Sequence, residues 1–256
     1  MSVVDLAYRL YERRLVSELA GGPMPNHVGV ILDGNRRFAR ERGLPSPTEG
    51  HEAGSRHVDV FLDWCLQAHI PYVTLWLLST DNLERDDEEV AGLLSVIENT
   101  VERMVRDPQR GLKVTAVGAL ELLPDETRRA IERAEAATID HDRLRVQVAV
   151  GYGGRQEITD ALRSLLLACA NDGRNIEEVA ATLRPEDIGD HLYTTGLPDP
   201  DLIIRTSGEV RLSGFLLWQS AHSEYYFCDT YWPEFRRVDF LRALRDYQRR
   251  TRRFGR

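Results

Sequence analysis

Cysteine and long apolar runs are both scarce in this sequence, and their scarcity excludes several classes of protein. The chain of 256 residues holds only Cys65, Cys169 and Cys228, which are widely spaced and form no CxxC pair. Neither a disulfide framework nor a zinc site is therefore indicated, and we expect reduced thiols in a cytoplasmic protein. The longest apolar stretches, such as YVTLWLL, fall far short of the roughly 20 residues that a membrane span requires. The start of the chain also lacks the apolar segment of a signal peptide.

An excess of basic charge is missing as well. The sequence has 33 basic residues against 41 acidic ones, which gives a net charge of -8. This balance predicts no nucleic-acid partner, because affinity for nucleic acid rests on a basic surface that neutralises phosphates. Small anionic ligands are compatible with it, since they need only a local cluster of arginines.

The length and composition suit one large domain. With 42% hydrophobic residues, the chain can bury a substantial core. We expect an N-terminal helix in residues 1–22 and a single domain in residues 23–256. The apolar positions of that helix are spread around its axis, so it could pack on the domain, on a partner or peripherally on a membrane surface.

Strand-like and helix-like segments alternate along the domain. Apolar runs rich in Val, Ile and Leu predict strands at 27–33, 72–79, 112–118, 144–150 and 201–207. Helical spacing recurs between them, in residues 58–66, 90–104 and 158–169. This alternation predicts an α/β fold: a single domain with a central, mainly parallel sheet flanked by helices. Ligands of such sheets bind at the carboxyl ends of the strands.

The segment HVGVILDGNRRFAR, residues 27–40, places polar groups at one such end. Gly34 lets the backbone approach a ligand, and Arg36 and Arg37 could add charge-assisted hydrogen bonds to a diphosphate. Asp33 offers a hard oxygen ligand for Mg²⁺ bridging protein and phosphate. The alternative is an ordinary turn into a helix with solvated arginines, and the short motif alone does not decide between the two.

The segment LSTDNLERDDEEV ends the second predicted strand and should lie at the same edge of the sheet. It would bring Ser79, Asn82 and Arg85 near Asp33. The acidic run at 86–89 invites comparison with the aspartate-rich Mg²⁺ motif of the all-helical prenyl synthases, but it lacks that motif's spacing. Acids in the first turn of a helix are more simply explained by the helix dipole.

Two further segments follow predicted strands. GYGGR, at 151–155, lacks the full GxGxxG pattern, so we interpret it as a tight turn and set aside a dinucleotide-binding oxidoreductase. LIIRTSGEVRLSGFLLWQSAHSEYYF delivers Arg205, Arg211 and Ser213 into a glycine-punctuated loop. Two arginines and a hydroxyl at the end of a strand predict a second anion site. Glu224 is an additional acid in an otherwise aromatic neighbourhood.

These segments together resemble a known family. HVGVILDGNRRFA, LSTDNLER, GYGGR, DLIIRTSGE with RLSGFLLWQ, and the terminal RRFG occur in the order and approximate spacing of the cis-prenyltransferases, the undecaprenyl diphosphate synthase family. The resemblance covers nearly the whole chain from residue 26 onward. It implies the fold of that family, in which an allylic diphosphate and isopentenyl diphosphate bind side by side, and a Mg²⁺ cofactor.

The resemblance also implies roles for individual residues. Asp33 would bind Mg²⁺ and assist departure of the allylic diphosphate, Asn82 would remove or relay the proton, and Glu224 would be a second Mg²⁺-linked acid. The substrate-binding positions that it implies are Gly34, Asn35, Arg36, Arg37, Phe38, His51, Ser79, Thr80, Asp81, Leu83, Arg85, Arg205, Arg211, Leu212 and Ser213. Arg253 and Gly255 resemble a tail motif that reaches a neighbouring active site, which implies a homodimer.

Departures from the family pattern bear on the product. Leu77 stands where long-chain members typically have a small residue, GLPSPTEGH lacks an arginine before the histidine, and Leu83 replaces a tryptophan. The first two features resemble the short-chain branch and predict a product such as (2Z,6E)-farnesyl diphosphate made from geranyl diphosphate. The alternatives are a medium- or long-chain polyprenyl product and a non-catalytic partner subunit. Such subunits generally lose the first aspartate, whereas Asp33 is present here.

Overall fold

A parallel sheet forms the centre of the molecule. The computed structural model describes residues 3–250, with side chains from residue 8 onward. Its strands are β1 His27–Ile31, β2 Tyr72–Trp76, β3 Leu112–Val117, β4 Leu144–Ala149, β5 Leu202–Arg205 and β6 Glu224–Phe227. They lie in the order β3-β4-β2-β1-β5-β6, and every pair is parallel. The α/β fold class and the five predicted strands are confirmed, although each strand ends before its predicted boundary.

The sequence analysis missed the sixth strand. β6 has only four residues, all half-buried, and its outer edge pairs with no other strand of residues 3–250. The aromatic run within it, Tyr225 to Phe227, is too short to show the alternation of apolar and polar residues that indicates a strand. Such a run is equally typical of an interface.

Helices cover both faces of the sheet. They are α1 Val3–Leu19, α2 Asn35–Glu41, α3 Pro47–Gln67, α4 Asp87–Met104, α5 Asp125–Ala137, α6 Gly154–Asn171, α7 Ile176–Thr182, α8 Pro185–Gly189 and α9 Arg237–Arg249. The acidic run before α4 behaves as predicted, because Asp86 caps the helix through the Glu88 N–H and the following acids occupy its first turn. Within residues 3–250, no helix has the length and apolarity needed to cross a membrane.

The N-terminal helix packs against the last one. Leu15 and Leu19 of α1 are buried, while Leu10 and Val16 face solvent. Tyr8 accepts a hydrogen bond from Arg236 at 2.7 Å, which fixes the two ends of the chain to each other. Of the placements that the sequence left open, packing on the domain is the one observed.

Two layers of apolar side chains hold the β1–β2–β5 region. Val28, Val30, Val73 and Leu75 are completely buried in the main core, which burial of apolar area stabilises. On the other face of the sheet, Phe215 stacks on Trp76 with ring centroids 5.2 Å apart. The strand ends that carry polar residues are therefore rigidly placed.

Candidate active site

A cleft of about 740 Å³ opens at the carboxyl ends of β1, β2 and β5. Register explains the convergence, since Ile31 at the end of β1 pairs with Trp76 on one side and with Arg205 on the other. The predicted site residues that line the cleft are Asp33, Gly34, Asn35, Arg36, Arg37, His51, Ser79, Asn82, Arg85 and Arg205. The first two polar segments of the sequence thus meet as expected.

Asp33 lies at the junction of the two predicted anion sites. Its carboxylate accepts a hydrogen bond from Arg205 at 2.8 Å and lies 3.6 Å from the Arg37 guanidinium. Thr206 fixes the backbone, because its hydroxyl donates to the Asp33 carbonyl and accepts from the Asp33 N–H. Burial raises the pKa of Asp33, but the hydrogen bonds from Arg205 and Ser207 and the charge of both arginines outweigh it, so the pKa is lowered on balance. Asp33 is therefore a carboxylate at neutral pH.

Gly34 begins the turn into α2, where no other residue fits. Its φ of 104° lies in the region that favours glycine. A Cβ there would lie 2.6 Å from a ring carbon of Tyr231. Arg37, one turn further on, donates to the Ser207 hydroxyl and lies 5.6 Å from the centre of the Tyr231 ring. The turn after β1 thus leaves backbone and guanidinium groups facing the cleft.

A second group of charges lies on the opposite wall. Glu89 of α4 pairs with Arg85 at 2.7 Å and with Arg36 at 3.5 Å. Both arginines are thereby held at the cleft, and their charge is only partly neutralised. His51 lies beside them, and burial together with the nearby arginines lowers its pKa to about 4. His51 is consequently neutral at physiological pH, and its buried Nε2 has no hydrogen-bond partner.

Ser79 and Asn82 form a reciprocal pair in the short 3-10 helix that follows β2. The Asn82 N–H donates to the Ser79 hydroxyl at 3.2 Å, and the Asn82 side-chain oxygen accepts from the Ser79 N–H at 3.3 Å. Tyr152 of the GYGGR segment forms a parallel β-bridge with Ser79, and the segment leads from β4 into α6 beside the site, where the sequence had predicted a tight turn. Ser79 and Asn82 both line the cleft.

The arginine loop is attached to the cleft through Arg205. This side chain is only 4% exposed. Its Nη1 donates to the Ser213 hydroxyl at 2.8 Å and to the Arg211 carbonyl, while its Nη2 donates to Asp33. Arg211 and Ser213 themselves are exposed, and Arg211 pairs with Glu209. The loop therefore forms an outer rim next to the Asp33 cleft.

A buried carboxylate supports this loop from below. Glu157 of α6 is completely buried and accepts hydrogen bonds from the Tyr152 hydroxyl, the Tyr193 N–H at 3.1 Å and the Gln219 amide at 3.0 Å. Gly154 donates from the start of α6 to the Gly214 carbonyl at 2.9 Å. The GYGGR segment and the arginine loop are thus directly connected.

Several predicted site residues lie away from the cleft lining. Asp81 is exposed, and Leu83 packs against the main core. Thr80 packs against Gly153, and a Cβ on Gly153 would lie 2.7 Å from the Thr80 hydroxyl. Phe38 and Leu212 are half-buried outside the lining. Arg253 and Gly255 lie outside the described residues.

Glu224 is separated from Asp33 within one chain. It begins β6 and pairs in register with Leu202, at the amino edge of the sheet, whereas Asp33 follows the carboxyl end of β1. Its carboxylate pairs with Arg250 at 2.7 Å. A single chain therefore does not bring the two acids together.

The inner end of the cleft is apolar and nearly closed. Leu32, Leu77 and Leu93 form this end. Behind them lies a separate space of about 40 Å³, the rear cavity, between α3 and α4. Leu32, Leu77 and Leu93 line both spaces together with Asn35 and His51, so the three leucines, here called the leucine partition, form the apolar part of the wall between them.

Sequence reasoning missed several contributors to the site. Thr206 and Ser207 directly follow the predicted Arg205, and Ser207 has a φ of 77°, which is unusual for a non-glycine residue. Arg40 and Ser46 line the cleft from α2 and the loop after it. The hydroxyl residues directly after Arg205 in the sequence could have indicated Thr206 and Ser207. The pairing of Glu89 with two arginines depends on tertiary structure alone.

The site thus combines the carboxyl edge of a parallel α/β sheet, two adjoining groups of arginines and several apolar side chains, an arrangement suited to an anionic ligand that carries a hydrocarbon chain. A family model described as "Putative undecaprenyl diphosphate synthase" matches residues 31–255. The chain belongs to this family, as the sequence motifs predicted. It is an enzyme that transfers prenyl groups in cis-prenyl chain elongation.

Named relatives agree with this assignment. The chain is 59% identical over 248 residues to (2Z,6E)-farnesyl diphosphate synthase of Thermobifida fusca, covering 97% of this chain and 96% of that protein. It is 55% identical over 252 residues to an isoprenyl transferase of Thermus thermophilus, with 97% and 95% covered. Lavandulyl diphosphate synthase from Lavandula x intermedia, solved with dimethylallyl diphosphate, superposes with a TM-score of 0.83 at 34% identity, covering 91% of this chain and 99% of that one.

Proposed function

We propose that this enzyme condenses one isopentenyl diphosphate with geranyl diphosphate to form a short Z-isoprenyl diphosphate such as (2Z,6E)-farnesyl diphosphate. The observation that carries the chain-length part of the proposal is the leucine partition at the inner end of the cleft. Leu77 lies in it together with Leu32 and Leu93, and only about 40 Å³ of space lies beyond. The 59% identity to a (2Z,6E)-farnesyl diphosphate synthase supports the same product.

The two anion sites receive different substrates in this proposal. The allylic diphosphate binds at the turn after β1, on Gly34, Asn35, Arg36 and Arg37. Isopentenyl diphosphate binds at the loop beyond Arg205, on Arg211 and Ser213. Arg205 contacts both Asp33 and Ser213, so it can set the distance between the two diphosphates. Holding both substrates close makes their encounter effectively intramolecular.

A Mg²⁺ ion fits this site with substrate phosphates as its main ligands. Among the residues that the structure describes, no group of three acids, histidines or cysteines converges. Mg²⁺ needs only one or two protein carboxylates when phosphate oxygens complete its shell. Asp33 is ionised and lines the cleft, and its Oδ1 lies 3.6 Å from Arg37, whereas Arg205 holds the other oxygen at 2.8 Å. Bound there, the ion would neutralise charge that develops on the departing diphosphate.

The chain's own residues then act on the transition state. Breaking the allylic carbon–oxygen bond places positive charge on carbon and negative charge on the diphosphate. Arg36 and Arg37, held by Glu89 and Ser207, are oriented before the reaction, so their interaction strengthens as this charge develops. The double bond of isopentenyl diphosphate attacks the carbon, and Asn82 lies at the cleft to remove or relay the proton that leaves.

Location and assembly belong to the same proposal. Cys65, Cys169 and Cys228 are buried free thiols, which supports a cytoplasmic enzyme. The outer edge of β6 and its half-buried aromatic residues support a homodimer. Leu10 and Val16 on the outer face of α1 are available for peripheral membrane contact.

A product assay tests the proposal. Purified protein is incubated with labelled isopentenyl diphosphate and, in turn, geranyl, farnesyl or geranylgeranyl diphosphate, with Mg²⁺ or with chelator, and product length is measured. We expect a single Mg²⁺-dependent cis addition to geranyl diphosphate. Long products would refute the short-chain part alone, and absence of product under every condition would favour a non-catalytic partner subunit.

A further inference from the structure

A pair of hydroxyl-bearing residues lines the rear cavity. Apolar side chains of Val58, Val96, Ile97 and the leucine partition line it between α3 and α4, and Asn35, His51, Gly54 and Trp232 complete the lining on the side toward the cleft and the short helix at Trp232. Ser55 of α3 and Thr100 of α4 are the hydroxyl-bearing residues in that lining. Both are buried, with 8% and 2% exposure, although neither belongs to the substrate sites described above.

Hydrogen bonds fasten these two hydroxyls to each other and to both helices. The Ser55 and Thr100 oxygens lie 2.6 Å apart. The Thr100 oxygen is also 2.6 Å from the Val96 carbonyl one turn earlier in α4. Arg103 donates to the Ser55 hydroxyl at 2.8 Å and to its carbonyl at 2.7 Å. Both hydroxyls are thus hydrogen-bonded, and the pair joins α3 to α4 at the wall of the cavity.

Charged groups lie directly behind the pair. Arg103 is held by Asp59 at 2.8 Å, and Arg110 donates to the same carboxylate at 3.3 Å. A hydrocarbon chain that passed the hydroxyls would separate them and then meet this ion-pair network. Polar groups that lose their partners in an apolar surrounding are costly, and a prenyl chain offers them no replacement.

We propose that the Ser55–Thr100 hydroxyl pair is a second limit on product length, behind the limit that Leu77 sets. The leucine partition stops the chain in the native enzyme. When the Leu77 side chain is removed, the chain enters the rear cavity and stops at the hydroxyl pair. The inference rests on the proposed function, because it concerns the length of the prenyl product.

Product length in a small set of variants tests this order of limits. Each variant is assayed with geranyl diphosphate, excess labelled isopentenyl diphosphate and Mg²⁺. Ser55→Ala/Thr100→Ala alone should give the wild-type product, because Leu77 still closes the cleft. Leu77→Ala should give a longer product with a defined end. Leu77→Ala/Ser55→Ala/Thr100→Ala should extend the main product by at least one further isoprene unit.

Two additional variants make the comparison independent of folding effects. Thr127 is also a buried threonine, on α5, and its hydroxyl bonds to Glu98 away from the rear cavity. Leu77→Ala/Thr127→Ala should therefore give the same product as Leu77→Ala. If the triple variant is unstable, Leu77→Ala/Ser55→Ala serves in its place, because Thr100 keeps its bond to Val96 and Arg103 keeps its bond to the Ser55 carbonyl.

The outcomes separate this inference from the proposed function. No product, or a long product, from the wild-type enzyme would refute the proposed function itself. A normal wild-type product with identical lengths from Leu77→Ala and from the triple variant would refute the second limit alone. Lengthening by Ser55→Ala/Thr100→Ala without any change at Leu77, or no lengthening by Leu77→Ala, would refute the order of the two limits.

Discussion

At the scale of single residues, the Asp33–Arg205 pair joins the two diphosphate sites of the proposed function. We expect Asp33→Ala and Arg205→Ala each to lower kcat/KM by about 100-fold or more, as loss of one preorganised charge-stabilising group typically does. Arg106→Ala is the matched control, since Arg106 is exposed and lies outside the cleft lining. Near wild-type rates in both cleft variants would contradict these roles.

The same pair predicts a shift in pH dependence. Arg205 lowers the pKa of Asp33 by hydrogen bond and by charge, against the effect of burial. Replacing it with alanine should raise that pKa, so the ionised form, which the reaction needs, is lost at higher pH. The acid limb of the residual activity profile of Arg205→Ala should therefore move toward neutral pH relative to wild type.

His57 provides a stability prediction at a residue outside the site. Burial lowers its pKa from 6.5 to about 4, only partly offset by a backbone hydrogen bond with Phe235. Below pH 6.5, His57 binds a proton in the unfolded chain but not in the folded chain. The free energy of unfolding therefore falls as the pH drops to about 4. The loss from this residue is at most ~3 kcal/mol.

Urea unfolding between pH 7 and pH 4 measures this loss. His57→Phe keeps an aromatic ring against Trp232, whose centroid lies 4.9 Å away, and should show a smaller decrease with acid than wild type. His51, whose pKa is also about 4, retains part of the decrease. His222→Phe, at an exposed position, should keep the wild-type slope; equal slopes in all three proteins would contradict the assignment.

The residue scale also shows where sequence reasoning is strong. Asp33, Arg36, Arg37 and Arg205 were predictable, because each follows a strongly apolar strand and such ends converge in a parallel sheet. The partners that orient them were not, since Glu89 lies on a helix whose acids serve the first turn equally well. Tertiary packing brings the opposing walls of a cleft together, and such packing produces no short-range pattern in the sequence.

At the scale of elements, the start of α2 depends on Gly34. Gly34→Ala meets both an unfavourable φ and a ring carbon of Tyr231 at 2.6 Å. Gly173→Ala is matched in φ, at 76°, but has open space around its Cβ. We expect about 1–2 kcal/mol of destabilisation at Gly173. The loss at Gly34 should be larger and accompanied by loss of activity, as thermal unfolding and product assays can measure; equal losses would contradict the steric argument.

Glu157 joins α6 to the arginine loop, which makes it a positioning residue. In Glu157→Gln, an amide N–H₂ replaces one of the two oxygens, so either the Tyr152 hydroxyl or the Tyr193 N–H and the Gln219 amide lose their acceptor, and the loop should shift. We expect KM for isopentenyl diphosphate to rise several-fold more than KM for the allylic substrate. Glu177→Gln on the exposed face of α7 is the control. A uniform fall in kcat with both KM values unchanged would indicate a general structural effect instead.

Elements differ in how far sequence reveals them. The five long apolar strands were predictable because β-branched residues and charged or glycine boundaries coincide. The short edge strand β6 was not, since its four residues are half-buried and aromatic. Its place in the sheet is set by pairing with β5, which is a tertiary property.

At the scale of the whole molecule, two acids implied by the family motifs lie at opposite edges of the sheet. Glu224 is in register with Leu202, and Arg205, which holds Asp33, is in register with Phe227. Three residues of parallel strand separate these levels by roughly 10 Å. If Glu224 serves the reaction at Asp33, a second copy of the chain must bring it there.

Mixing two inactive variants tests this arrangement. Asp33→Ala and Glu224→Gln should each be strongly impaired as pure proteins. In mixed dimers, one site would receive Asp33 from one copy and Glu224 from the other, so activity should recover to well above the sum of the separate preparations. Arg250→Ala, which removes the ion-pair partner of Glu224 but keeps the acid, should retain activity and thereby exclude a merely structural effect. Mixed dimers verified by native mass spectrometry that recover nothing would show that Glu224 does not act across two copies, because only a shared site can be restored by exchange of subunits.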